Sequence, residues 1–180
     1  MTLRKLMTCL VILLMAGTAY AAGPQTGPVI KDFGPVFATP DGSYNLEKNT
    51  HYKVSMDVSA TGDFPEDRNR HLESAARFLN MSARSGLDPK NIEFAIIVHG
   101  PATKDLLGNE SYEKRYEEPN PNTQLLKALK EVGVNIYLCA QSAAHMKMAP
   151  EEFDPAVTMA LSAMSAHVRL QSKGYTLIPF

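Results

Sequence analysis

The sequence predicts an α/β domain built on a mostly parallel sheet of five strands. Segments with strand patterns alternate with segments of helical spacing along the chain, which is the order of parallel sheets with right-handed crossover connections. One strand segment, Ile92–Val98, is apolar at almost every position, as expected where a parallel strand is covered on both faces. The 180 residues, 44% of them hydrophobic, suffice for one compact core without a disulfide or a metal.

The first half of the domain contains two strands and one helix. Apolar and polar residues alternate over 52–58, which predicts the first strand. Apolar residues then recur at helical spacing over 72–83, and Gly86 ends this helix. The second strand, Ile92–Val98, follows and leads into His99.

The second half opens with a polar stretch over 102–120, which we interpret as a long functional loop or an irregular helix. Asn122 is predicted to cap the next helix, and Gly133 to end it. The third strand is predicted over 134–139.

Three further elements complete the predicted domain. Ser142 is expected to cap a short helix. A fourth strand over 156–160 is followed by a helix over 162–173 and a last strand over 175–179. The alternative for the fourth segment is a backward extension of the following helix.

The first 21 residues have the pattern of a secretory signal peptide. Arg4 and Lys5 precede an apolar run over 6–16, which is shorter than the about 20 residues of a membrane span. An Ala-Tyr-Ala site predicts cleavage after Ala21, and Cys9 then leaves with the signal. We therefore expect a periplasmic or secreted protein with no disulfide within its chain.

The remaining chain divides into an arm over 22–50 and a domain over 51–180. Cleavage would change the net charge from −1 to −3, which disfavours nucleic acid and membranes as partners. The arm is rich in proline and glycine, and its apolar residues Phe33, Val36 and Phe37 are expected to pack on the domain or to bury surface in self-association. The alternative is a partly ordered leader.

Cys139 is the main candidate for chemistry, because it ends an apolar strand shortly before a predicted helix start at Ser142. Amide groups and the helix dipole favour the nucleophilic thiolate there. His99 also ends a strand, and it would lower the thiol pKa further if the second and third strands are neighbours. The alternatives are an inert buried thiol and a histidine that hydrogen-bonds the loop backbone.

A soft-metal site is the other chemical interpretation of this region. His145, Met146 and Met148 follow Cys139 closely, and such a set suits cuprous copper. Methionines on a short helix more often fill a core, so no metal ligand is assigned. The chain has no phosphate-binding glycine loop, dinucleotide fingerprint, metalloprotease helix or serine-hydrolase elbow.

Three segments, over 96–102, 125–139 and 170–175, resemble the DsrE/DsrF-like family. The resemblance implies a three-layer α/β/α domain around a five-stranded parallel sheet, assembled as trimers or hexamers. In sulfur-relay members a cysteine at the end of the third strand carries sulfur as a persulfide, and Cys139 stands at that position. The departure is the signal peptide, because characterised relay members are cytoplasmic and act with partner subunits.

The leading hypothesis is an exported homo-oligomer, a trimer or hexamer, that carries sulfane sulfur on Cys139, with His99 as a helper. It requires no cofactor and would exchange sulfur with a donor or acceptor protein. The rival hypothesis is a non-catalytic binding or assembly module with an inert cysteine. A soft-metal binder is the third.

Overall fold

The computed structural model describes residues 23–178 and contains one five-stranded sheet in the order β4-β3-β2-β1-β5. All four neighbouring pairs of strands are parallel, which confirms the predicted fold class. The strands are β1 (Tyr52–Val58), β2 (Ile92–Val98), β3 (Asn135–Cys139), β4 (Val157–Ala160) and β5 (Thr176–Ile178). The predicted signal peptide lies outside the described residues.

In the described part of the chain five α-helices connect or flank these strands: α1 (Arg70–Arg84), α2 (Asn109–Tyr116), α3 (Thr123–Glu131), α4 (Ala140–His145) and α5 (Ala163–Ser172). Short 3-10 segments cover Pro89–Asn91, Gly100–Leu106 and Pro150–Glu152. Side-chain caps fix the starts of α1 and α5, since Asn69 and Ser162 each accept hydrogen bonds from amides of the first turn. Within residues 23–178 no helix is both long and apolar enough to cross a membrane.

The two faces of the sheet carry cores of very different size. One face packs against α1, α3 and α4 and forms the large core, with fully buried side chains such as Phe94, Ile96, Leu125, Leu126 and Leu129. The other face packs against α5 alone, and its buried cluster consists of Ala95, Ile97, Ala166 and Leu170. Side chains alternate between these faces along each strand.

The arm is an ordered part of the fold and is held by Asn80, a fully buried residue of α1. The Asn80 Oδ1 accepts from the N–H groups of Val29 and Ile30, at 3.0 and 2.8 Å. Its Nδ2 donates to the carbonyls of Ile30, Phe33 and Gly34 at 2.9, 2.9 and 3.1 Å. One carboxamide thus satisfies backbone groups that a strand partner would otherwise satisfy.

Of the two expectations for the apolar residues of the arm, packing on the domain and burial in self-association, the structure shows the first at Phe33. Phe33 is buried in the core of its own chain, whereas Phe37 is 67% exposed and Val36 is half-buried. The arm approaches α1 so closely at Gly34, where φ is +68°, that a Cβ would lie 2.2 Å from the Arg77 nitrogen. Only glycine fits this crossing.

Two predicted caps are wrong in detail. Helix α4 begins at Ala140, directly from the strand, so Cys139 occupies the N-cap position and Ser142 lies inside the helix. Asn122 is at the N-cap position of α3 but makes no capping bond. Its Oδ1 accepts instead from the Asn69 backbone N–H at 2.8 Å, which ties the start of α3 to the start of α1.

Two open questions of the sequence are decided by the fold. The polar stretch over 102–120 contains the end of the 3-10 segment Gly100–Leu106 and the regular helix α2, with Tyr112 buried in the large core. The segment before α5 is a strand, because Val157–Ala160 pairs in parallel with β3.

Candidate functional site

A row of polar side chains crosses the carboxyl edge of the sheet. In the pairing of β2 with β3, Val98 stands opposite Leu138, so the next residues, His99 and Cys139, are neighbours on adjacent strands. Adjacent strands lie about 4.8 Å apart. The pairing of β1 with β2 also continues past the strand, since the His99 N–H donates to the Val58 carbonyl at 3.1 Å.

These side chains lie on the face of the sheet that α5 covers. His99 has an extended backbone, with φ −155° and ψ −179°, so the alternation of β2 continues through it and places it on the face of Ile97. By the same alternation Cys139 shares the face of Tyr137, and Asp57, which pairs with Ile97, shares it as well. Three neighbouring strands therefore contribute one polar side chain each.

Asp57 binds two histidines with one carboxylate. His99 Nε2 lies 3.0 Å from Asp57 Oδ2, and His167 Nε2, from α5, lies 2.6 Å from Oδ1. Partial burial raises the pKa of Asp57, while hydrogen bonds from His167 and His99 lower it, and the net result lies below the ordinary value. The carboxylate is therefore ionised at neutral pH and accepts from both imidazoles.

The Cys139 thiol lies where two helices begin. Burial raises its pKa, but the Ser142 hydroxyl and the amides of Ser142, Ala163 and Gln141 lower it, and the net pKa is below that of an ordinary thiol. Ala163 is the first residue of α5 and Gln141 belongs to α4. The residue is only 5% exposed, and it is the only cysteine among residues 23–178.

Ser142 connects this thiol to the loop after β2. Its Oγ accepts from the Gly100 N–H at 3.0 Å, and its hydroxyl faces Cys139. The sequence identified Ser142 as a helix cap, whereas the structure uses it to link the ends of β2 and β3.

A cavity of about 610 Å³, which Ser142 helps to line, opens between the loop after β2, α4 and Thr61. Lys104 is its cationic group, with Nζ 2.8 Å from Asp105 Oδ1. Burial lowers the pKa of Lys104, but the fully buried Asp105 carboxylate raises it, and the net pKa is above the ordinary value. Since Asp105 balances this charge, the cavity presents no free cation at Lys104.

The four residues of the soft-metal hypothesis do not converge. Met148 is buried in the large core, while Cys139 lies on the opposite face against α5. His145 and Met146 line the cavity. Within residues 23–178 no three His, Cys, Asp or Glu side chains are arranged to hold a metal ion.

The sequence identified half of this polar row. Cys139 and His99 were candidates, and the structure makes them neighbours. Asp57 is one of the polar residues that alternate with apolar ones over 52–58, and the sequence does not distinguish it or His167 as a site residue. The available signal for Asp57 was a charge near the end of β1, because ligands gather at the carboxyl ends of parallel strands.

Comparison with known proteins agrees with this architecture. None of the curated proteins searched matches the chain. Among solved structures, a protein of unknown function, MTH1491 from Methanobacterium thermoautotrophicum, superposes with a TM-score of 0.51 at 18% identity, covering 72% of this chain and 99% of that one. This likeness concerns the fold. The model of the DsrE/DsrF-like family matches residues 53–180, and the chain therefore belongs to the DsrE/DsrF-like family.

Proposed function

We propose that this protein binds or relays sulfane sulfur as a persulfide on Cys139. Membership of the DsrE/DsrF-like family suggests a role related to sulfur relay. The observation that carries the proposal is the environment of the thiol: amides of α4 and α5 and the Ser142 hydroxyl lower the pKa of Cys139 at the carboxyl edge of the sheet. A thiolate is the nucleophilic form that such chemistry needs.

The proposed step transfers one sulfur atom without a change in overall oxidation state. The Cys139 thiolate attacks the outer sulfur of a donor R–S–SH, and a new S–S bond forms at Sγ. The S–S bond of the donor breaks, and R–S⁻ leaves with the bonding pair and takes up a proton as R–SH. No organic cofactor is required.

We test this proposal by intact-mass spectrometry of the exported protein after incubation with polysulfide. The wild type is expected to gain mass in steps of one sulfur atom. Cys139→Ser should gain none and should keep the circular dichroism spectrum of the wild type. Sulfur bound equally by both proteins would contradict the proposal.

The rival function, an assembly module with an inert cysteine, is favoured by one observation, the 5% exposure of Cys139. Alkylation by iodoacetamide separates the two. A carrier thiol is expected to be alkylated in the folded protein, faster than a free cysteine at the same pH. A thiol that reacts only after unfolding would leave the assembly module as the better account.

We further propose that the protein acts outside the cytoplasm, after removal of residues 1–21, with sulfur exchanged between it and a donor or acceptor protein. The pattern of charge, apolar run and small residues over 1–21 supports export. Mass measurement of protein recovered from the periplasm or the medium tests it. A mature protein beginning near Ala22 is expected, and one that retains Cys9 would contradict it.

Self-association as a trimer or hexamer is part of the same proposal. Large apolar side chains are exposed on α5 and just before it, at Leu161, Met164 and Val168. Contiguous apolar surface of this kind marks protein contacts. Met164→Asp is expected to reduce the sedimentation coefficient of the wild-type assembly, whereas Met81→Asp, at an exposed position on α1, should not. A monomeric wild type would contradict the proposal.

A further inference from the structure

We propose that His99 is the proton acceptor for the Cys139 thiol, and that Asp57 and His167 are positioning residues that hold His99 in the required orientation. The inference rests on the proposed function for its substrate. It assigns roles to two residues that are remote from Cys139 in sequence.

The first step of the argument is the placement of His99. It follows β2 directly and stands beside Cys139 on the neighbouring strand, on the same face of the sheet. The side chain is partly exposed, so a proton that it receives exchanges with solvent or with a bound donor.

The second step is the orientation of the imidazole. A carboxylate only accepts hydrogen bonds, so the His99 Nε2 that lies 3.0 Å from Asp57 carries a proton. In the neutral ring Nδ1 is then the basic nitrogen. Asp57 thus selects the tautomer in which a free nitrogen is available for the thiol proton.

The third step is the role of His167. Its Nε2 donates to Asp57 Oδ1 at 2.6 Å, and its Nδ1 is buried without a hydrogen-bond partner. The ring is therefore held through its Nε2, by the hydrogen bond to Asp57. His167 holds Oδ1 of Asp57, while His99 Nε2 lies 3.0 Å from Oδ2 and 3.2 Å from Oδ1.

The groups that face His99 come from three elements. Asp57 from β1 is hydrogen-bonded to His99. His167 from α5 shares the Asp57 carboxylate, and Cys139 from β3 stands beside His99 in the strand register. The loop after β2 contributes two charges, Lys104 and Asp105, which form an ion pair with each other. Asp57 is therefore the anion that stabilises a positive charge on His99.

The proton follows the sulfur in a balanced step. His99 Nδ1 accepts the proton of the Cys139 thiol, and the resulting thiolate attacks the outer sulfur of the donor. As the S–S bond of the donor breaks, the leaving R–S⁻ takes this proton from His99, which returns to its neutral form. The sum is Cys–SH and R–S–SH giving Cys–S–SH and R–SH.

The test is the pH profile of iodoacetamide alkylation for the wild type, Asp57→Asn, His99→Gln and His167→Gln, with His71→Gln as the matched control. We expect the apparent pKa of the thiol to rise by about 1–3 units in His99→Gln and in Asp57→Asn, because the thiolate then lacks, or is misaligned with, the imidazolium that forms when His99 accepts its proton. His167→Gln keeps a donor for Asp57 and should give a smaller rise. His71→Gln, at the start of α1, should leave the profile unchanged, and Asp57→Glu should restore part of it.

Profiles of Asp57→Asn and His99→Gln that coincide with the wild type, in proteins that keep their circular dichroism spectra, would overturn the inference. Stoichiometric zinc in the wild type, lost in both His99→Gln and His167→Gln, would overturn it as well, since the imidazoles would then be ligands. Failure of the proposed function has a different signature, in which polysulfide adds no sulfur while the alkylation profiles still shift.

Discussion

One face of the sheet carries most of the hydrophobic core, and the other carries the polar residues of the candidate site. On the face of α1, α3 and α4, fully buried large side chains fill the core, and each stabilises the fold by about 1.5–3 kcal/mol. On the face of α5 the buried cluster has four residues, two of which are alanines. A single short helix, α5, covers that face and contributes His167, and the space beside it holds Asp57, His99 and Cys139. The partly exposed side chains of Asp57 and His99 therefore lie on the face that α5 covers, where the packing is less extensive.

Identical substitutions on the two faces give the largest expected effect. Leu126→Ala, in the large core, should cost about 4 kcal/mol in the free energy of unfolding, because the surrounding helices cannot collapse into the cavity. Leu170→Ala, on the buried side of α5, should cost about 2 kcal/mol, because fewer neighbours pack against it. Urea denaturation measures both. Equal losses in the free energy of unfolding would contradict the view that the two faces differ in how much they stabilise the fold.

Asn80→Ala should have the next largest effect, since it removes the carboxamide that holds the arm to the outer side of α1. Several buried backbone groups would lose their partner, and we expect a loss of roughly 2–4 kcal/mol. Limited proteolysis should cut within residues 23–50 of the variant but not of the wild type. Met81→Ala, exposed on the same helix, is the control. An uncut arm in Asn80→Ala would show that other contacts suffice.

Asp57→Asn should have a smaller effect that depends on pH. Because the folded pKa of Asp57 lies below the ordinary value, its contribution is present at neutral pH and is lost as the pH falls from about 4 through the folded pKa. Partial exposure limits the contribution to about 1 kcal/mol at neutral pH. Thermal unfolding of both proteins between pH 7 and pH 3 measures it. A difference in melting temperature between the wild type and Asp57→Asn that grows as the pH falls would contradict this prediction.

The smallest effect is expected at the solvent-exposed ion pair of Lys114 and Glu110 on α2. Both side chains stay hydrated, so Lys114→Ala should leave the melting temperature unchanged within error. Calorimetry checks this. A clear decrease would mean that α2 takes part in a contact that this structure does not contain.

Local patterns predicted most of the fold. Alternation over Tyr52–Val58 and the apolar run of Ile92–Val98 have the observed bounds, because each pattern depends only on which faces of a strand are buried. Capping was predicted less well at Asn122. Its carboxamide contacts Asn69, which is 53 residues away, and local preference does not report such a bond.

The sequence predicted only those site residues that directly follow or end a predicted strand. Cys139 and His99 each end a strand, so the sequence places both at the carboxyl edge. Asp57 and His167 are separated by 110 residues, and their contact depends on α5 crossing to the other face of the sheet. This crossing depends on the order of the strands in the sheet, which is set by long-range packing. The hydrophobic periodicity of the sequence reports only local structure and does not predict that order.

The course of the arm also determines where a fusion partner can be attached. Arg84, at the end of α1, donates to the carbonyls of Thr26 and Gly27, so the start of the described chain lies at the amino edge of the sheet. At the other end Ile178 lies beside Met56, one position before Asp57. A tag or surface anchor placed before residue 23 leaves the thiol edge open, whereas one placed after β5 would crowd it. Immobilised protein for sulfur-transfer assays is therefore best anchored through its amino end.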